Sequence, residues 1–174
     1  MIRSRSRSPL LVSASLVLAL LSQGLSAPAA NAHFNGTGQA SARMSIQPYG
    51  FSSLYNVAID RAIANWNATS SPADIFKYSN SGAYIAVGSY SDTWYGTYTG
   101  CGSGCYIIRL NERSISAARP SNISNFITSV AVHEWGHALN LAHNSVTSIM
   151  WDSRNRNTMT TPQSHDVADV NQYY

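Results

Sequence analysis

Three histidines and a glutamate lie within the segment HEWGHALNLAH, residues 133–143. On a helix, residues four apart lie on one face, so His133 and His137 would present two imidazoles in the same direction. This is the spacing with which two histidines bind one zinc ion. Glu134 follows the first histidine and could take a proton from a water at the metal, then pass it to a leaving amine. The pattern predicts a catalytic zinc site with Glu134 as general base and acid.

A catalytic zinc needs a third protein ligand, and His143 is the nearest candidate. The alternatives are downstream aspartates, namely Asp152, Asp166 and Asp169. In a continuous helix His143 would lie about 240° around the axis from His137 and about 9 Å further along, too far to share a metal. His143 can therefore bind only if the helix stops near residue 140. Asn140 suits such a stop because asparagine tolerates positive φ, and we predict positive φ there.

Strand and helix patterns alternate along the segments that would position these residues. ARMSIQPYG, AYIAVGSY, TWYGTYTG and CYIIRLNE have the composition of strands. Three further segments have helical spacing: residues 52–70, which begin with serine as a cap, residues 123–140, capped by Asn122 or Ser124, and residues 161–174, with Pro162 in the first turn. The order is strand, helix, three strands, helix, loop and helix. We therefore expect an α/β (α+β) domain with helices packed on a sheet.

The first 32 residues have the order of a secretory signal peptide. Three arginines precede an apolar run from Leu10 to Leu21, and small residues follow up to a cleavage site at Ala30-Asn31-Ala32. The apolar run is too short for a membrane span, which needs about 20 residues. We expect a secreted, extracellular protein that begins at His33. Residues 33–40 would be a short lead-in, and residues 41–174 the catalytic domain.

The charge balance excludes nucleic acid as a partner. The full chain has 11 Lys+Arg against 8 Asp+Glu, but three of these arginines belong to the signal segment. The remainder is balanced and has no basic cluster, so a phosphate-binding surface is not expected. Nor is a membrane partner expected, and we predict a monomer.

The two cysteines occur in CGSGC, as Cys101 and Cys105. Export places them in an oxidising compartment, and the glycines between them allow a tight loop, so we predict a local disulfide. It would staple one loop and add little global stability, because the loop is short. The alternative is that one thiolate binds a metal as an inhibitory latch.

HEWGHALNLAH resembles the HExxHxxGxxH signature of the metzincin zinc endopeptidases. Met150 lies seven residues after His143 and resembles the methionine of their Met-turn. Among metzincins the closest resemblance is to matrixins, since HEWGHALNLAHNSVTSIM is similar to their HEFGHALGLxHS…LM segment and SHDVADVNQYY to their QDDIxGIQxLY helix. Four positions depart from the pattern. Asn140 replaces a glycine, His165 replaces the first aspartate of a pair, and Trp151-Asp152 replaces Tyr-Pro.

The resemblance implies a metzincin-like catalytic domain: a twisted mixed sheet of about four to five strands with a backing helix, an active-site helix and a C-terminal helix. It implies one catalytic Zn2+ on His133, His137 and His143, above an apolar floor at Met150. Ca2+ stays open, since no motif supports it. An edge strand within Thr93–Thr99 would pair with an extended protein or peptide substrate.

The resemblance therefore implies a secreted zinc-dependent endopeptidase that hydrolyses internal peptide bonds. Two alternatives remain. One is a non-catalytic secreted binding module that keeps zinc for folding, although such a module would have no use for Glu134. The other is a zinc hydrolase directed at the cell wall.

Overall fold

The computed structural model describes residues 32–174. The predicted signal peptide, apart from Ala32, lies outside these residues. The helices and strands are, in chain order, β1 (Arg43–Ile46), α1 (Ser53–Asn67), β2 (Asp74–Lys77), β3 (Tyr84–Gly88), β4 (Gly96–Gly102), β5 (Cys105–Asn111), α2 (Glu112–Ala117), α3 (Ile123–Ala138) and α4 (Ser164–Tyr173). The predicted mixed fold is confirmed. Within the described range, no helix is long and apolar enough to cross a membrane.

The five strands form a two-stranded and a three-stranded sheet. β1 and β2 pair in parallel, and β5 lies between β3, which is parallel to it, and β4, which is antiparallel. The two sheets meet where the Gln47 amide, just after β1, donates to the Ala83 carbonyl at 2.9 Å. β4 is an edge strand of its sheet. The expected disulfide joins Cys101 and Cys105 at the β4–β5 hairpin.

α3 lies in the middle of the domain. It contacts α1 on one side and β4 and β5 on the other. All its residues from Phe126 to Ala138 are buried except His137, as expected for a helix covered on every face. The buried Trp66 ring fixes α1 to α3, since its Nε1 donates to the Val132 carbonyl at 2.9 Å. The helix that carries the HExxH pattern is therefore held by the core along its whole length.

Two arginines join these elements through hydrogen bonds to uncharged oxygen atoms. The Arg61 guanidinium on α1 donates to the Thr128 hydroxyl at 2.7 Å and to the Asn125 side chain at 2.9 Å. Arg154 donates to the Ser129 hydroxyl and carbonyl, both at 3.1 Å. In residues 32–174, Lys and Arg form only two ion pairs, Arg43–Asp74 and Lys77–Asp60.

Four local features differ from the sequence-based expectations. β2 was not predicted, because four residues beginning with Asp74 have too little alternation to indicate a strand. The six-residue helix α2 was also missed. Ser52 precedes α1 but makes no side-chain capping bond. Pro162 lies before α4 rather than in its first turn, because Gln163 and Asp166 form the capping box that begins this helix.

Candidate metal centre

The imidazoles of His133, His137 and His143 converge at the C-terminal end of α3. His143 Nε2 lies 3.1 Å from His133 Nε2 and 3.1 Å from His137 Nε2. The three ligand atoms all lie within 4.8 Å of one another. The structure thus brings together the three histidines of the sequence pattern.

Asn140 makes the backbone reversal that brings His143 back. α3 ends at Ala138, and Asn140 has φ 67, the left-handed conformation required by the sequence argument. The Asn140 amide donates to the His137 carbonyl at 3.0 Å, and the Leu141 amide donates to the Gly136 carbonyl at 2.9 Å. This pair of bonds is the Schellman motif, in which one left-handed residue closes a helix. Asparagine therefore does here what glycine does in the resembling motif.

The lead-in before β1 braces this helix stop. The Asn35 amide donates to the Asn140 carbonyl at 2.9 Å, and Asn35 Nδ2 donates to the His137 and Leu141 carbonyls at 3.1 and 3.0 Å. The Gly38 amide donates to Asn140 Oδ1 at 3.1 Å. A Cβ on Gly38 would lie 2.4 Å from the Asn140 Cα, so only glycine allows this approach. Sequence reasoning missed these residues, which lie about a hundred positions before the motif.

Each ligand histidine has a partner for its second ring nitrogen. His133 Nδ1 lies 2.9 Å from the Ile149 carbonyl, and His137 Nδ1 lies 2.8 Å from the Leu141 carbonyl. A carbonyl only accepts, so both Nδ1 atoms carry the proton and both Nε2 lone pairs face the centre. His143 Nδ1 lies 3.3 Å from the Asp152 carboxylate. Asp152 was a candidate third ligand, but the structure places it behind His143 as an orienting partner.

The donor set fits zinc. In a tetrahedral zinc site with Zn–N bonds of about 2.0–2.1 Å, two ligand nitrogens lie about 3.3 Å apart. The observed separations of 3.1 Å are close to this value. Burial lowers the pKa of His137 to about 4 and that of His133 well below its usual value, so both imidazoles are neutral at pH 7, as ligands must be.

Met150 is buried, with 1% exposure, and directly follows Ile149, whose carbonyl lies 2.9 Å from His133 Nδ1. It packs so closely on α3 that a Cβ on Gly136 would lie 2.3 Å from Met150 Sδ. The turn before it is tied to α4, because Asp166 Oδ2 accepts from the Ile149 amide at 2.8 Å and from the Gln163 amide at 2.7 Å. α4 therefore holds the floor of the site in place.

Glu134 lines the cleft beside the histidines, with 4% of its surface exposed. Burial raises the pKa of its carboxyl to about 8 in the metal-free protein, although the charges of Arg154 and Arg156 lower it. The β4 backbone presses against this side chain, since a Cβ on Gly96 would lie 2.6 Å from Glu134 Oε1. Gly96 was not singled out in the sequence, because its role depends on a contact between distant segments.

A cleft of about 520 Å³ opens over the histidines and Glu134. One wall is the stretch Thr93–Tyr98, which overlaps the predicted substrate strand and ends in β4. Arg154 and Arg156 also line the cleft, and the Arg156 guanidinium lies 5.0 Å from the centre of the Tyr95 ring. Both arginines were missed, because the loop that carries them has no periodic pattern.

Comparison with known proteins gives a family and a fold. The family model described as Matrixin matches residues 31–174. No curated protein matches the chain. Among solved structures, a chain of "GM1 bound form of the ECX AB5 holotoxin" is similar, with a TM-score of 0.54 and 14% identity over 82% of this chain and 85% of that chain. At this identity the likeness concerns the fold alone.

Proposed function

Because the chain belongs to the matrixin family, we propose that it is a secreted zinc endopeptidase that hydrolyses internal peptide bonds of proteins. One observation carries the proposal. Three imidazoles converge next to the Glu134 side chain at an open cleft. A site that held zinc only for folding would be closed by a fourth protein ligand and would need no carboxylate at its edge.

His133, His137 and His143 would hold the ion, which when bound supplies a Lewis acid that lowers the pKa of water to about 7 and polarises a carbonyl. Glu134 is placed to accept the proton of the attacking water and to donate it to the departing amine. Burial raises the pKa of this carboxyl in the metal-free protein, and the positive charge of a bound ion would lower it again, which would let the carboxylate act as a base. The partners at the three Nδ1 atoms keep the imidazoles in one orientation through these steps.

The outer edge of β4 is the proposed binding surface for the substrate. β4 pairs with β5 on one side only, so its other side offers backbone donors and acceptors toward the cleft. An extended peptide could add there as a further strand, with its bonds to β4 giving affinity and the cleft giving selectivity. Gly96 keeps this edge close to Glu134, which brings a bound peptide bond near the carboxylate.

Export, cleavage after Ala32 and a monomeric state are part of the same proposal. The disulfide supports an oxidising compartment, because such bonds are rare in the cytosol. N-terminal sequencing of the exported protein would test the cleavage position. Light scattering would test the monomer.

The Glu134→Gln variant tests the catalytic role. Wild type and variant are incubated with denatured casein, with and without a zinc chelator, and the cuts are mapped by mass spectrometry. We expect the variant to bind zinc but to cleave at least about 100-fold more slowly. The matched control is Glu112→Gln, which changes the other glutamate of the chain, an exposed residue at the start of α2.

Cleavage by Glu134→Gln at the wild-type rate, or cuts that survive chelation, would contradict the mechanism. Cleavage of peptidoglycan but not casein would indicate the cell-wall alternative.

A further inference from the structure

A second cluster of metal-ligand atoms lies where the lead-in meets α4. His165 Nε2 is 3.4 Å from His33 Nδ1 and 3.4 Å from Asp169 Oδ2. His33 Nδ1 is 3.9 Å from the same carboxylate oxygen. His165 and Asp169 are four residues apart on α4 and therefore share one face, as His133 and His137 do on α3.

The three atoms surround a point that a metal ion could occupy without movement of the protein. A point equidistant from atoms separated by 3.4, 3.4 and 3.9 Å lies about 2.1 Å from each of them. Zinc bonds to imidazole nitrogen and to carboxylate oxygen are about 2.0–2.2 Å long. The spacing fits the metal as closely as the spacing in the cleft does.

The charge of Asp169 also calls for a cation. Its side chain is 4% exposed, and a buried carboxylate must be compensated. Within residues 32–174, no Lys or Arg pairs with it, and its partners in ion pairs are His33 and His165. The His33 side chain is 37% exposed, which leaves the cluster open to solvent on one side. A metal held by both imidazoles would neutralise the carboxylate and could enter by that side.

We propose that His33, His165 and Asp169 form a second site for a divalent ion of the zinc type. Two imidazoles and one carboxylate form a ligand set of the kind found in zinc sites, and the same donors bind Cu2+ and Ni2+. Two nitrogen donors select against Ca2+ and Mg2+, which prefer oxygen. The resemblance implied one zinc ion only, since His33 and His165 are the only histidines outside the HExxH segment and its third histidine.

Processing after Ala32 would complete this site. The His33 backbone nitrogen lies 3.3 Å from Asp169 Oδ2. In the unprocessed chain it is an amide, which donates a hydrogen bond. After cleavage it is a primary amine, which can bind the ion together with Nδ1 of the same residue as a chelate. This step rests on the proposed cleavage, whereas the site of three side chains does not.

An ion in this site would stiffen the catalytic helix end. The His33 carbonyl accepts from the Ala142 amide at 2.7 Å, next to His143. Asn35 and Gly38, a few residues further on, hold the Asn140 stop. Fixing His33 to α4 therefore anchors the segment that braces the cleft, and it does so at a distance from the catalytic ion.

Counting bound metal tests the proposal. The full chain is expressed with its own N-terminal segment, and the exported protein is recovered, its N-terminus read by mass spectrometry and its metal removed. Zn2+ is then added and the bound ions are counted by native mass spectrometry. We expect two ions in wild type and one ion in each of the variants His165→Gln and His33→Gln. The second variant changes a partly exposed residue and leaves α4 intact. Two ions in both variants, or a single ion in wild type that His165→Gln keeps, would overturn the proposal.

A third variant separates this site from the proposed catalytic site. His143→Gln removes a ligand from the cleft and should also bind one ion, while the double variant His143→Gln/His165→Gln should bind none. If the cleft binds no zinc, wild type and His143→Gln will both hold one ion, which His165→Gln loses. If the second site is wrong, the ion of wild type will instead be lost in His143→Gln.

Discussion

Asn140 is the residue on which the geometry of the metal centre depends most directly. Its backbone has φ 67, and its side-chain oxygen accepts from the Gly38 amide at 3.1 Å. Replacement by glycine, alanine and valine separates these two contributions. Glycine keeps the left-handed backbone and loses the hydrogen bond, alanine loses the bond and strains the backbone, and valine adds a β-branched side chain to that strain.

The expected losses of unfolding free energy follow from these changes. The hydrogen bond contributes about 0.5–1.5 kcal/mol, and glycine regains part of this because its left-handed backbone costs nothing. Asn140→Gly should therefore lie within about 1 kcal/mol of wild type. Alanine adds a left-handed cost of roughly 1–2 kcal/mol to the loss of the hydrogen bond, which gives a total loss of about 1.5–3.5 kcal/mol. Asn140→Val should lose more unfolding free energy than Asn140→Ala, because a β-branched side chain tolerates the left-handed backbone less well.

Two assays measure the consequences for Asn140. Thermal unfolding gives the stability order, and competition with a chromophoric chelator gives zinc affinity. We expect affinity to follow the same order, with glycine close to wild type and valine lowest, because a displaced stop moves His143 away from His137. Asn171→Val is the control, since Asn171 is exposed on α4 and is not among the residues with positive φ. Wild-type zinc affinity in Asn140→Val would refute the argument that the helix stop places His143.

Three further predictions concern the same centre. Gly96→Ala should slow proteolysis at least tenfold without loss of zinc, because its Cβ would lie 2.6 Å from Glu134 Oε1; casein cleavage and metal content measure this. Asp152→Asn should weaken zinc binding by about 10–100-fold, because it removes the charge that orients His143; chelator competition measures this. In the metal-free protein, thermal stability should peak near pH 6.5, measured by melting across pH. Below this pH the two α3 histidines are protonated in the unfolded state but remain neutral in the folded state, since the pKa of His137 is about 4. Stability therefore falls as pH falls. Glu134 is already ionised in the unfolded state above its ordinary pKa of 4.5, whereas the folded protein keeps this proton up to a pKa of about 8. Once the histidines no longer outweigh this effect, above about pH 6.5, stability falls as pH rises.

Matched variants check each of these predictions. Gly50→Ala controls for the loss of a glycine, since a Cβ there meets nothing within 4 Å. Asp92→Asn controls for the loss of a carboxylate at an exposed position. In wild type the free energy of unfolding should fall above pH 6.5 by about 1.4 kcal/mol per pH unit. In Glu134→Gln this fall should be absent. A slope that persists in this variant would assign the titration to another group.

The convergence of the three histidines could be predicted from the sequence because the information for it is local. His133, His137 and His143 lie within eleven residues that span the end of one helix, so helix geometry and the helix end decide whether they converge. Asn140 could be assessed from its conformational preference without any knowledge of its surroundings. The helices α1, α3 and α4 were also recognisable, because their apolar spacing extends over several turns.

The features that were missed depend on long-range contacts. Asn35 and Gly38 carry no signal of their own, and their role exists only because α3 ends beside them. Gly96 matters through one close approach between β4 and Glu134. Arg154 sits in an aperiodic loop, where nothing in the sequence indicates which way its side chain points. Such residues can be placed only after the chain has folded.

The hydrogen bonding of Arg61 and Arg154 bears on the conditions under which the protein stays folded. Both guanidinium groups bind neutral hydroxyl, amide and carbonyl oxygens, and these contacts lose little when dissolved ions screen charges. The two Lys and Arg ion pairs of residues 32–174 are solvent-exposed and contribute little in any solution. The folding free energy should therefore change little between dilute medium and roughly 1 M sodium chloride, where the screening length is only about 3 Å. Such a domain should keep its fold across a wide range of salinity.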